Sequence, residues 1–287
     1  MATVKRPRTL DSFFSLPAAK KSRTAQIDAA ANGNETTSGD SIANTPSSEH
    51  STYPFAVPHL PTEINDILNF APAVEARVIN DQPDLDLLYY QPYVPKEIVR
   101  DYFEFLRREL FFYRVKYTIK RGPTETLINT PRFTTVFGLD ETSRFAADGS
   151  IEDAKSGKPV SKDAYRCRPR QVPHCLDLLK RLTENATGCK FNFALVNYYA
   201  DGNDSISYHS DDERFLGPEP AIASFTLGAR RDFLMKHKPT ESKHESETKP
   251  MKLPLGSGDM ILMRGRTQGC WLHSIPCLLY TSDAADE

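Results

Sequence analysis

His209 and Asp211 stand two residues apart in the run Tyr208-His209-Ser210-Asp211-Asp212-Glu213, and a third candidate ligand, His273, lies far downstream in Trp271-Leu272-His273. On a β-strand an i, i+2 spacing puts both side chains on one face. A site gathered from positions this far apart demands a fold that lays distant strands side by side. Two imidazoles and one carboxylate on one face of a metal leave three neighbouring positions open. That suits non-haem Fe(II), which must take a co-substrate and O2. A His-x-Asp alone is frequent by chance, and a hydrogen-bonded surface histidine is the ordinary alternative for His209. The distal His273 and the strand-to-loop setting after Ile206-Ser207-Tyr208 favour the metal.

The surrounding pattern is a series of short β runs. After Gly188 they fall at Phe191–Tyr199, Ile206–His209, Ala221–Leu227, Asp232–His237, Lys252–Pro254 and Met260–Met263. Turn signals separate them at Asp201-Gly202-Asn203, Gly217-Pro218 and Gly256-Ser257-Gly258. Residues 238–250 read as a long polar hairpin loop. Upstream, Pro95 to Leu110 reads as an amphipathic helix with Ile98, Phe105, Leu106 and Leu110 on its apolar stripe. Gln171 to Thr187 reads as a second helix, with Leu176, Leu179 and Leu182 inward. The expected class is mainly β with flanking helices (α+β), a sandwich or jelly roll.

A chain of 287 residues accommodates one large domain and a tail. The formal net charge of −2 leaves any nucleic-acid binding to local basic patches. Five cysteines without a Cys-x-x-Cys pair argue against a zinc ribbon or a disulfide framework. With no long apolar run and no signal-peptide core, a soluble intracellular protein that avoids membranes is expected, and a monomer. Residues 1–60 read as a disordered tail, with ordered structure starting near Ile64. The tail is too poor in large apolar residues to offset ordering entropy. Its basic clusters, Lys5-Arg6-Pro7-Arg8 and Lys20-Lys21-Ser22-Arg23, fit a nuclear import signal or a solvated tail alike. Between them Leu10, Phe13 and Phe14 share one face of a single helical turn. This run resembles the peptide that docks into replication sliding clamps, although Pro7 stands where that pattern usually has Gln.

Several ordered motifs carry a wider resemblance. Pro131-Arg132-Phe133, Val136-Phe137-Gly138, Asn197-Tyr198-Tyr199, Asp204-Ser205-Ile206, His209-Ser210-Asp211-Asp212-Glu213, Leu227-Gly228-Ala229-Arg230-Arg231-Asp232-Phe233 and Trp271-Leu272-His273-Ser274-Ile275-Pro276 resemble the AlkB-type dioxygenases, in the eukaryotic branch that repairs alkylated DNA. The resemblance implies a double-stranded β-helix over residues 61–276, with Fe(II) on His209, Asp211 and His273. It implies 2-oxoglutarate against Asn197 and Tyr199, O2 as oxidant, and N-alkylated bases in DNA, duplex or single-stranded, as substrate. A core-packing role for Tyr199 is equally compatible with the sequence. Asp212, Glu213, Tyr165, Arg132 and Arg168 are then candidates to contact the nucleic acid, because an enzyme acting on a base must extract it from a duplex or use single strands. Tyr165, Arg166, Arg168 and Arg170 line one face if extended, which an ordinary charged surface strand also does.

After Pro276 the resemblance stops. The family continues into a strand whose arginines clamp the co-substrate's far carboxylate, since a buried carboxylate needs a paired cation. Residues 277–287, Cys277 to Glu287, contain no arginine and no β pattern. They are expected to be non-homologous, leaving the last β-helix strand missing and 2-oxoglutarate binding weak. Two alternatives stay open: a dioxygenase of the same fold acting on RNA or protein, and a catalytically impaired nucleic-acid or clamp-binding protein.

Overall fold

The computed structural model describes residues 46–121, 124–161, 169–211, 216–239 and 248–278. They build a mostly β molecule with a few helices. Two antiparallel four-stranded sheets form its centre. In the first, strands run in the order Ile206–His209, Trp271–Ile275, Arg231–His237, Met251–Leu255. In the second the order is Ile222–Phe225, Met260–Met263, Leu87–Tyr90, Arg77–Ile79.

The sheets meet through residues alternating with the period of two that a strand imposes. Phe233 and Met235, Leu253 and Leu255, and Trp271 from one sheet pack with Leu87 and Tyr89, Ile261 and Met263 from the other. Each buried side chain of this size contributes roughly 1.5–3 kcal/mol. The whole strand Met260–Met263 is buried, because both of its faces are covered. Gly258, in the turn before it, has φ +93°. A Cβ there would meet the Val94 carbonyl oxygen at 2.7 Å, so only glycine fits.

A second core lies under the helices. The expected helix over Pro95–Leu110 spans Val99–Glu109, with Ile98, Phe105, Leu106 and Leu110 buried. The expected helix over 171–187 spans His174–Thr187 and closes on Gly188 at φ +70°, whose N–H returns to the Glu184 carbonyl. Leu176 and Leu179 are buried in the same cluster, and Leu182 packs against it.

Order begins earlier than Ile64. Ser48 Oγ accepts the His174 N–H at 2.9 Å, satisfying a helix-start donor that would otherwise lack a partner. The Tyr53 hydroxyl donates to the Gln171 carbonyl at 2.5 Å, and Val57 and Leu60 enter the core. Local composition could not show this, because the anchoring contacts are with residues distant in sequence.

Strand Phe193–Tyr198 pairs on one edge with Phe133–Gly138. Ile222–Phe225 pairs on one edge with Met260–Met263. Among the described residues, no second strand pairs with either. Every residue of both strands is only half-buried, and both strands line one cavity. Hairpin strands Arg231–His237 and Met251–Leu255 pair as the sequence suggests; residues 240–247 of their connection lie outside the described set.

Candidate metal centre and co-substrate pocket

Strand Ile206–His209 runs antiparallel to Trp271–Ile275 with His209 directly opposite His273. Opposed residues of an antiparallel pair project to the same face, and the two imidazole centroids lie 4.2 Å apart. The strand stops at His209, so strand geometry alone does not aim Asp211. Gln268 supplies the missing constraint. Its Oε1 accepts the Asp211 N–H at 3.0 Å, and its own side chain is buried, with Nε2 3.2 Å from Met263 Sδ. Asp211 Oδ1 then lies 3.9 Å from His209 Nε2, and Oδ2 lies 3.6 Å from His273 Nε2. One ligand atom from each of the three lies within 4.8 Å of the others.

The protonation pattern suits a metal. His209 Nδ1 sits 2.9 Å from the Ser207 carbonyl, which can only accept, so Nδ1 donates there and Nε2 is the nitrogen turned to Asp211 and His273. His273 is buried against the Phe233 ring, at 5.3 Å and nearly parallel. Burial, aided by His209 and Lys238, holds its pKa well below the usual imidazole range, so the ring is neutral. Two imidazoles and one carboxylate are the donor set that Fe(II) takes in oxygenases.

Asn197 and Tyr199 line the same cavity of about 480 Å³ as His209, Asp211 and His273. Arg132 donates from Nε to Asn197 Oδ1 at 3.1 Å. The Arg231 guanidinium lies over the Tyr199 ring, 5.3 Å from its centroid. Burial pushes the Tyr199 phenol up to about 12, with Arg132 and Arg231 pulling the other way, so it stays a hydrogen-bond donor at neutral pH. Asp204 braces the turn between the two site-bearing strands. Its carboxylate takes Arg114 at 2.9 Å and the Ala200 N–H at 2.9 Å, while its carbonyl takes Arg231 Nη2 at 2.8 Å.

A family description, the 2OG-Fe(II) oxygenase superfamily, matches residues 86–285. The chain belongs to that superfamily. Within this 2OG-Fe(II) oxygenase superfamily it is an AlkB-type member, homologous to ALKBH2 and ALKBH3 over part of its length. It is 42% identical over 110 residues to the alpha-ketoglutarate-dependent dioxygenase alkB homolog 3 of Rattus norvegicus, covering 38% of this chain and 37% of that protein. It is 41% identical over 102 residues to the DNA oxidative demethylase ALKBH2 of Homo sapiens, covering 35% and 39%. The ALKBH2 of Arabidopsis thaliana matches at 28% over 207 residues, covering 67% and 61%. The chain thus spans under two fifths of the length of the two animal relatives. Membership of this oxygenase superfamily implies Fe(II), 2-oxoglutarate and O2. The three converging ligands of this chain fit the metal.

Not every expected residue reaches the cavity. Arg132, expected at the nucleic-acid surface, is 6% exposed and bonded to Asn197. Arg170, expected on a basic face, is buried: its Nε donates to the Val136 carbonyl at 3.1 Å and its guanidinium covers the Phe137 ring. Arg264 and Arg266 pair with Asp86 and Asp84. Leu10, Phe13, Phe14, Tyr165, Arg168, Asp212 and Glu213 lie outside the described residues. Sequence reasoning missed Gln268, Asp204 and Arg231. A supporting side chain has no spacing signature, although Asp204 and Arg231 both stood inside quoted motifs. No helix among the described residues is long and apolar enough to cross a membrane.

Proposed function

We propose that this protein oxidatively demethylates N-alkylated bases in DNA, using Fe(II), 2-oxoglutarate and O2, as an alkylation-repair enzyme of the nucleus. The observation that carries the reading is the convergence of His209, Asp211 and His273 in one cavity with Asn197 and Tyr199. The names of the relatives, DNA oxidative demethylase among them, favour DNA as substrate. We read the two four-stranded sheets as the body of a double-stranded β-helix.

His209, Asp211 and His273 would hold the iron. Iron bound there with 2-oxoglutarate and O2 would supply the oxidising power for removing an N-methyl group as formaldehyde. Asn197 presents its amide N–H, and Tyr199 its hydroxyl, as donors to the carboxylate-bearing co-substrate. Apolar walls at Ile206, Phe233 and Ile275 keep bulk water from the reacting groups. Asp212, Glu213, Tyr165 and Arg168 remain our candidates for the nucleic-acid side, and Leu10, Phe13 and Phe14 for a sliding-clamp contact.

Incubating Fe(II)-loaded protein with saturating 2-oxoglutarate and 1-methyladenine oligonucleotides tests the assignment. Loss of the methyl group with release of formaldehyde from duplex or single-stranded DNA is expected. Turnover confined to RNA moves the assignment to the RNA alternative, and no turnover on either sinks it.

A further inference from the structure

Met235 stands opposite His273, and His237 opposite Trp271, on the paired strands Arg231–His237 and Trp271–Ile275. Past that end the ladder continues as the Lys238 N–H donates to the Cys270 carbonyl at 2.7 Å, which sets Cys270 beside His237. Asp84 arrives from the loop before strand Leu87–Tyr90. Trp271 Nε1 donates to the Pro83 carbonyl at 3.0 Å and pins that loop. Asp84 has φ +58°, in the left-handed region that Asp enters more readily than most side-chain-bearing residues.

Side-chain donors converge here as well. One ligand atom each from Asp84, His237 and Cys270 lies within 4.8 Å of the others, and all three residues are half-buried. His237 Nδ1 lies 2.7 Å from the Lys238 carbonyl, which can only accept, so Nε2 is the nitrogen turned to the cluster, 3.4 Å from Asp84 Oδ2. Asp84 divides its oxygens: Oδ1 holds Arg266 at 2.7 Å, while Oδ2 is turned to His237. A cation could take Oδ2 and leave the Arg266 pair in place, with Arg266 then orienting the carboxylate from outside.

We propose that Asp84, His237 and Cys270 form a second metal site of the zinc class, which clips the Asp84 loop to the end of the strand pair that carries His273. Thiolate, imidazole and carboxylate together suit Zn(II), with water as fourth ligand. On binding, the Cys270 thiol gives its proton to water, and thiolate and carboxylate together balance the dication. The site shares no ligand with the His209–Asp211–His273 centre, and its chemistry differs: it is the only one of the two with sulfur.

Cobalt(II) is the probe, because a thiolate ligand gives Co(II) a near-ultraviolet charge-transfer band that nitrogen and oxygen ligands do not. It is titrated into the full chain carrying His209→Ala, which disables the iron centre. One equivalent with the thiolate band is expected. The band should vanish in His209→Ala/Cys270→Ser and persist in His209→Ala/Cys189→Ser; His209→Ala/Asp84→Asn should keep it with at least tenfold weaker binding. Cobalt bound without a thiolate band, or a band that survives Cys270→Ser, overturns the proposal. Circular dichroism of each variant separates loss of the site from loss of the fold.

Discussion

Arg132 Nε donates to Asn197 Oδ1 at 3.1 Å, and that bond decides which end of the amide the cavity meets. A guanidinium has no acceptor, so the amide must turn its oxygen toward Arg132 and leave Nδ2, a donor, for the ligand. Asn197→Asp keeps the shape and replaces that donor by an anion. Under the proposed reading, 2-oxoglutarate affinity falls at least tenfold relative to the parent chain, the ~1.5–3 kcal/mol of one bond to a charged group. Arg132→Met releases the amide and should weaken binding in the same direction. Titration calorimetry under anaerobic conditions checks both, and unchanged affinity in Asn197→Asp removes Asn197 from the pocket's chemistry.

Gln268 reaches Asp211 through the backbone, not the ligand oxygens. Gln268→Leu preserves bulk in a buried position and deletes the acceptor that aims Asp211. Second-sphere changes of this kind cost roughly 10–100-fold in metal affinity. Iron titration of the variant should show that loss with all three ligands still present; parent-like affinity would mean that Asp211 is aimed by something else.

The neutral state of His273 makes the metal-free fold acid-sensitive. Burial lowers its folded pKa well below the unfolded value near 6.5. Below about pH 6.5 the unfolded chain therefore binds the proton that the folded chain refuses, and stability drops as pH falls toward the lowered value. Melting temperature of the metal-free protein, followed from pH 7.5 downward, should decline through that window. In His273→Gln the decline should be shallower.

Asp204 is 3% exposed and holds Arg114, the Ala200 N–H and, through its carbonyl, Arg231. Asp204→Ala takes the acceptor from Arg114 and the Ala200 N–H, while Arg231 keeps the main-chain carbonyl. Because Arg114 keeps partial access to solvent, the expected destabilisation is about 2–3 kcal/mol, short of the cost for a fully buried pair. Urea denaturation measures it, and a loss under 0.5 kcal/mol would show the turn to be held by other contacts.

The strands after Gly188 were legible as short apolar-rich runs set off by turn residues. Ile206–His209 and Met260–Met263 fall where the pattern puts them. Leu87–Tyr90 was not: like Met260–Met263 it is a run of four apolar residues without a period, but it lies upstream of the evenly spaced series. The hairpin Lys116–Arg121 and Thr124–Asn129 was hidden for the opposite reason: its second strand is mostly exposed and its sequence polar. At the site, the three converging ligands were readable from residue type and order. Gln268, Asp204 and Arg231 act by holding other groups, and that role appears only when the strands are brought together. The second cluster, Asp84 with His237 and Cys270, joins residues from three distant segments and left no motif at all.

The most direct test of the account is visible absorption of the Fe(II)-loaded protein under anaerobic conditions with saturating 2-oxoglutarate. Chelation of the co-substrate by iron held on two imidazoles and a carboxylate produces a metal-to-ligand charge-transfer band. The account predicts that this band appears in the parent chain and is lost in His209→Ala. A band of equal strength in His209→Ala, or none in a parent chain shown by metal analysis to hold iron, would contradict it.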